Sequence, residues 1–167
     1  MSIAENLTVL VAPLTAEEIE WKVQSYKNGR TMIAPYIDSR AVMNRFDRAF
    51  GAFGWQNQIV SMDGGALAGI AVKNDDGEWI WKWDGAGASD YEPIKGSISG
   101  AMKRAATQWG LGRELYNYPR VYIDGEHKFV PRAVLERLNG LPAAVASGKK
   151  LPEAIFLNAQ GDDARGR

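Results

Sequence analysis

Residues 55–84, WQNQIVSMDGGALAGIAVKNDDGEWIWKWD, decide how the chain is to be folded. Asp63-Gly64-Gly65 and Asn74-Asp75-Asp76-Gly77 are turn formers, because Gly, Asn and Asp tolerate the backbone angles that a tight reversal needs. They separate three β-compatible runs, Trp55 to Ser61, Ala66 to Lys73 and Glu78 to Asp84, which predicts an antiparallel meander. In the third run Trp79, Trp81 and Trp83 alternate with Ile80, Lys82 and Asp84, so the two-residue period of a strand puts three indoles on one face. Such a stripe serves as core, as a subunit contact or as a stacking platform for bases, and the residues alone leave all three open.

Outward from the meander, Gly85 to Glu92 has loop composition, and Pro93 opens the longest predicted helix, running to about Trp109 with Gly110 and Gly112 closing it. At 100° per residue Ile94, Ile98, Ala101, Met102, Ala105 and Trp109 cluster on one side, with Lys103 nearly opposite and Arg104 on the flank. The helix is expected to bury one side and expose a basic one.

N-terminal to the meander, Asp38 can cap a helix to about Phe50 whose buried stripe is Val42, Met43, Phe46 and Phe50. Before it, Glu20 to Tyr26 and Thr31 to Tyr36 flank Lys27-Asn28-Gly29-Arg30, and Asn-Gly between two such runs predicts a hairpin with a basic tip. Thr15-Ala16-Glu17-Glu18 has capping-box spacing, so a short helical turn starts there.

C-terminal to the long helix, Arg113 to Asp124 reads as extended and Pro131 to Asn139 as a short helix. Gly148 to Arg167 reads as a tail in which Ile155-Phe156-Leu157 can dock. The expected division is an N-terminal arm over 1–13, one domain over 14–140 and a flexible C-terminal tail over 141–167. The expected class is α+β: a curved antiparallel sheet, built from the hairpin, a helix and the three-strand meander, packed on the long helix.

Composition removes most chemistries. With no cysteine there is no disulfide, thiolate nucleophile or zinc cluster, and His127 alone excludes a site needing two imidazoles. His127 lies in Asp124-Gly125-Glu126-His127, a turn and not a triad corner. Asp75-Asp76 and Asp162-Asp163 are adjacent acids of the solvated kind. Gly85-Ala86-Gly87-Ala88 lacks the Gly-Lys-Ser/Thr of a phosphate loop, and Gly110-Leu111-Gly112-Arg113 follows a helix where a dinucleotide fingerprint precedes one. No enzyme activity, cofactor or metal is expected. Without an 18-residue apolar run or a basic-then-apolar leader, the chain is expected to be cytoplasmic.

The formal charge is zero, yet its distribution is uneven: Ser61 to Gly100 holds three basic and seven acidic residues, Ala101 to Arg167 eleven and seven. Such asymmetry can place a positive surface on a neutral chain. Lys103-Arg104, the hairpin tip with Lys27 and Arg30, and the later Arg113, Arg120 and Lys128 are candidates to track a phosphate backbone.

Several motifs in order carry a resemblance. Tyr36-Ile37-Asp38-Ser39-Arg40-Ala41-Val42-Met43 is followed by Phe50-Gly51-Ala52-Phe53-Gly54-Trp55, then by Asp76-Gly77-Glu78-Trp79. After a gap come Lys95, Ser99-Gly100-Ala101-Met102-Lys103-Arg104-Ala105 and Trp109-Gly110-Leu111-Gly112-Arg113-Glu114-Leu115-Tyr116. Over about Leu14 to Asp124 this resembles the Rad fifty-two superfamily of single-strand annealing proteins, in its DdrA-like bacterial and phage branch.

The resemblance implies a curved sheet wrapped on a helix, protomers joined in a homo-oligomeric ring, and single-stranded DNA in an outer positive groove. It implies annealing of complementary strands in recombination and repair, with a host or phage single-strand-binding protein as a possible further partner. Lys103 and Arg104 match the family's basic pair. Lys22 matches an upstream basic position, with Arg30 as second choice, and Lys95 and Arg113 complete the expected DNA contacts. A further basic position one turn after the pair is occupied by Thr107. Because the chain stops soon after the annealing domain, regions that recruit a recombinase or a strand-coating protein are expected to be absent or minimal. The rival readings are a non-annealing strand-coating protein, which would stack bases on the Trp79, Trp81, Trp83 face, and a scaffold that uses that face for assembly.

Overall fold

The structure, a computed structural model, describes residues 1–88 and 93–164. In chain order the elements are α1 (Ile3–Leu10), β1 (Glu20–Lys27), β2 (Arg30–Tyr36), α2 (Ser39–Phe50), β3 (Trp55–Met62), β4 (Gly65–Lys73), β5 (Trp79–Gly87), α3 (Pro93–Gln108), β6 (Arg120–Asp124), α4 (Arg132–Leu138), α5 (Leu141–Ala146) and β7 (Ala154–Leu157), with 3₁₀ turns at Ala16–Glu18 and Arg113–Asn117. The class is α+β, as expected. The single curved sheet is not observed: the strands form a three-stranded antiparallel sheet, β3-β4-β5, and a separate four-stranded sheet, β1-β2-β6-β7. The chain divides accordingly into two compact units, residues 1–12 with 37–113, and 13–36 with 114–167.

In the first unit the meander forms in the expected order, with Trp55 opposite Val72 in β3/β4 and Ile70 opposite Lys82 in β4/β5. Ala66, Ala68, Ile70 and Val72 alternate onto the face covered by α3 and are buried. The helix contributes Ala101, Met102, Ala105, Ala106 and Trp109 to that contact, and the Trp109 indole donates to the Ile70 carbonyl at 3.0 Å. Ile94 has the right azimuth but sits in the first helical turn, where it is 76% exposed; Ser97 is buried instead. Of the expected loop over Gly85 to Glu92, Gly85 to Gly87 belong to β5; positions 89–92 lie outside the described residues.

Asp38 caps α2 as expected, its carboxylate accepting the Ala41 amide at 2.8 Å. That amide, with the charge of Arg40 assisting, holds the Asp38 carboxyl below its ordinary value against the opposing effect of burial. The buried stripe is Val42, Arg45, Phe46 and Ala49, while Met43 is exposed. Arg45 is buried because the arm expected over 1–13 contains α1, which ends against it. The guanidinium donates to the carbonyls of Val9, Leu10 and Ala12, at 2.7 Å for Ala12, meeting acceptors that a helix C-terminus leaves unpaired. The N-terminus of α1 carries a Ser2–Glu5 capping box, and its Ile3 amide donates to Asp75 at 2.8 Å.

In the second unit β1 and β2 form the expected hairpin, with Asn28 and Gly29 both at positive φ (55° and 75°), as a two-residue hairpin turn of this hand requires. β6 joins β2 antiparallel, and β7 joins β6 in parallel, Val121 opposite Ile155. The segment read as a tail therefore supplies a strand, and Leu157 is fully buried with Ile33, Val121 and Ile123 against Val134 and Leu138 of α4. Arg165 and Arg167 lie outside the described residues. Among the described residues no helix is long and apolar enough to cross a membrane.

Candidate nucleic-acid interface

The C-terminal end of α3 gathers cations because a helix end presents carbonyl oxygens and partial negative charge. Arg113 donates to the carbonyls of Thr107 (2.9 Å) and Gln108 (3.0 Å). Lys82, projecting from β5, donates to the same Gln108 carbonyl at 3.0 Å and lies 4.4 Å from the centre of the Trp109 ring. Lys82 was not among the expected DNA contacts. Its strand alternation with the tryptophans is visible in sequence, but its arrival beside Arg113 follows only from α3 lying on the sheet.

One turn earlier, Arg104 is 59% exposed and pairs with Asp84 of β5 at 3.0 Å. Of the Lys103-Arg104 pair expected to be exposed, Arg104 is exposed but ion-paired, whereas Lys103 is half-buried and also has a partner. The Arg104–Asp84 pair arises from the packing of α3 on β5, which the wheel of an isolated helix cannot contain. Burial alone would push the Asp84 carboxyl up, but hydrogen bonds from Gln108, the Gly85 amide and Arg104, with the charge of Arg104, outweigh it and leave it below its ordinary value. Asp84 is thus ionised throughout the neutral range. Lys95, nearer the start of α3, is exposed and likewise partnered.

On the opposite face of this sheet stand the tryptophans. Trp81 and Trp83 are stacked, with ring centroids 5.3 Å apart and planes 21° apart, and Trp83 is 38% exposed. Trp83 covers Gly69, where an added Cβ would lie 2.6 Å from the indole. The Lys73 ammonium lies 5.1 Å from the Trp79 ring centre. The stripe is therefore not the core beneath α3; it is a partly open aromatic face with a cation at one end.

Lys22 and Arg30 belong to the second unit, so the expected residues fall into two groups. Lys22 is exposed with its ammonium 3.8 Å from the Tyr36 ring centre. Arg30 pairs with Asp124 at 3.0 Å and lies 4.8 Å from the centre of Phe156, which itself stacks on Tyr122 at 5.2 Å. Cations interleaved with aromatic rings on one sheet face suit a single strand, whose bases and phosphates call for both. The Tyr122–Phe156 part of this face was not anticipated, since it depends on a parallel pairing of strands some thirty residues apart. His127 sits in the expected turn, its ring nitrogen 2.8 Å from the Asp124 carbonyl oxygen.

Comparison with known proteins agrees with this chemistry. Residues 3–128 match the family described as Rad52/22 family double-strand break repair protein. The chain is 30% identical over 134 residues to the "Single-stranded DNA-binding protein DdrA" of Deinococcus radiodurans, covering 74% of this chain and 61% of that protein. It is 29% identical over 133 residues to the protein of the same name from Deinococcus deserti, covering 74% and 62%. The chain thus spans about three-fifths of the length of these curated relatives.

Proposed function

Because the chain belongs to the Rad52/22 family of double-strand break repair proteins, we propose that it binds single-stranded DNA without sequence preference and anneals complementary strands, as a ring-forming homo-oligomer and without covalent chemistry. The observation that carries the reading is the group of cations on and around α3, where Arg104, Lys103, Lys82 and Arg113 lie within two helical turns of sequence or are bonded to its last carbonyls.

Phosphates lie along Lys103, Arg104 and Lys95, and Lys22 and Arg30 of the second unit supply further contacts. Arg113 and Lys82 act partly by neutralising the helix end, which would otherwise repel a phosphate. The Arg104–Asp84 pair does not prevent this, because an exposed ion pair contributes only about 0–1 kcal/mol and can exchange its carboxylate for a phosphate. The protein supplies alignment and charge neutralisation, and the bases, left free, supply specificity by pairing. Repetition around a ring makes many weak identical sites act on one strand.

The test is the rate at which two dye-labelled complementary oligonucleotides pair. Lys103→Ala with Arg104→Ala should slow pairing and weaken strand binding; unchanged annealing by the folded variant overturns the assignment. The stacked Trp81–Trp83 face supports a second reading, a coating protein that protects a strand without speeding pairing. It is distinguished by tryptophan quenching on binding oligo(dT) together with an annealing rate no greater than that of the naked strands.

A further inference from the structure

The second unit contains a cavity of about 390 Å³ between α5, the segment 149–152 and β7. Its apolar wall is Leu141, Ala144, Leu151, Ile155 and Phe156. Its charged rim is Arg137, Lys149 and Lys150 against a single carboxylate, Asp163, which lies 3.6 Å from Arg137. These residues lie C-terminal to the 3–128 stretch that matches the family.

From this arrangement the geometry points to a docking site for a short acidic segment of a partner protein that carries an aliphatic or aromatic side chain. The volume accepts one or two large apolar side chains, whose removal from water favours docking. The surplus of positive charge at the rim selects acidic neighbours for that side chain and repels basic ones. The rim is held in place: the Lys149 amide donates to the Ala144 carbonyl at 3.0 Å and the Gly148 amide to Val145 at 3.0 Å, while both lysine side chains are exposed. Little chain ordering therefore opposes docking.

A nucleic acid strand fits the cavity less well. Apart from Phe156, whose ring already belongs to the sheet face with Tyr122 and Arg30, the apolar part of its wall is aliphatic, so the cavity adds no aromatic platform of its own for bases.

The full chain is titrated into a fluorescein-labelled hexapeptide in which four aspartates flank leucine and phenylalanine. One control replaces both apolar residues with serine, and another replaces the aspartates with lysine. The acidic apolar peptide should bind at least tenfold more tightly than either control. Lys149→Glu with Lys150→Glu should weaken it at least tenfold, and Ala144→Trp, which fills the cavity from a half-buried position, should do the same. Lys103→Ala with Arg104→Ala should leave it unchanged, so failure of strand binding and failure of peptide docking are separable. Equal binding of the serine control, no loss in the Lys149/Lys150 variant with its circular dichroism intact, or displacement of the peptide by oligo(dT) would each overturn the assignment.

Discussion

Replacing Asp84 with asparagine should tighten binding of single-stranded DNA, which is the opposite of what most changes beside a binding surface do. Asp84 accepts from Arg104 at 3.0 Å and Gln108 at 3.1 Å and is ionised at neutral pH, so it opposes a phosphate approaching the same guanidinium. A phosphate on the far side of Arg104 sits roughly 7 Å from the carboxylate, where two unit charges in water repel by about 0.6 kcal/mol, or about threefold in affinity. Asparagine keeps one acceptor, for the Gly85 amide, and places its NH2 where the other oxygen accepts from Gln108, whose side-chain amide can turn to accept in its place; the lost ion pair, being exposed, costs at most about 1 kcal/mol of stability. If Arg104 then neutralises one further phosphate, the slope of log K against log salt becomes steeper by about 0.7. The assay is fluorescence anisotropy of labelled oligo(dT) across a potassium chloride series, for Asp84→Asn alone and in an Arg104→Ala background. Most of the gain should vanish in that background, because it acts through the guanidinium. Unchanged or weaker binding by a folded Asp84→Asn protein would show that Arg104 does not face the strand.

Arg45→Ala should lower stability by about 3 kcal/mol in urea unfolding, since it strands the carbonyls of Val9, Leu10 and Ala12; a loss under 1 kcal/mol would mean that water replaces the guanidinium. Gly69→Ala forces a methyl to within 2.6 Å of the Trp83 ring, so the indole must move, with a shifted tryptophan emission maximum and a cost of about 1–3 kcal/mol; an unchanged spectrum refutes the close approach. Asp38→Ala should cost about 1 kcal/mol at neutral pH by removing the α2 cap. The Asp38 carboxyl is lowered on folding, so its contribution is complete above the unfolded value near pH 4 and fades as pH falls through the folded one. The gap between parent and variant should therefore narrow below about pH 4, and a constant gap would contradict the cap's electrostatic share.

Local patterns were enough for most elements whose cause is local, the Ser2–Glu5 capping box that starts α1 being one that was not read. The Asn28-Gly29 hairpin, the Asp38 cap, the meander and the one-sided α3 are each set by neighbours within a few residues, through turn chemistry, capping and strand or helix period. Family membership was legible for a related reason, because it rests on the order of short motifs and not on contacts. What the residues could not decide is what non-local packing decides. The separation of hairpin and meander into two sheets, the parallel docking of Ala154–Leu157 on β6 and the burial of Arg45 at the end of α1 all join positions far apart in the chain. The candidate site shows the same division. A helical wheel places Lys103 and Arg104 away from the apolar stripe, but only the packing of α3 on β5 brings Asp84 to Arg104 and Lys82 to the helix end. Periodicity assigns a side chain to a face; which charges it meets there depends on the surface that face is packed beside.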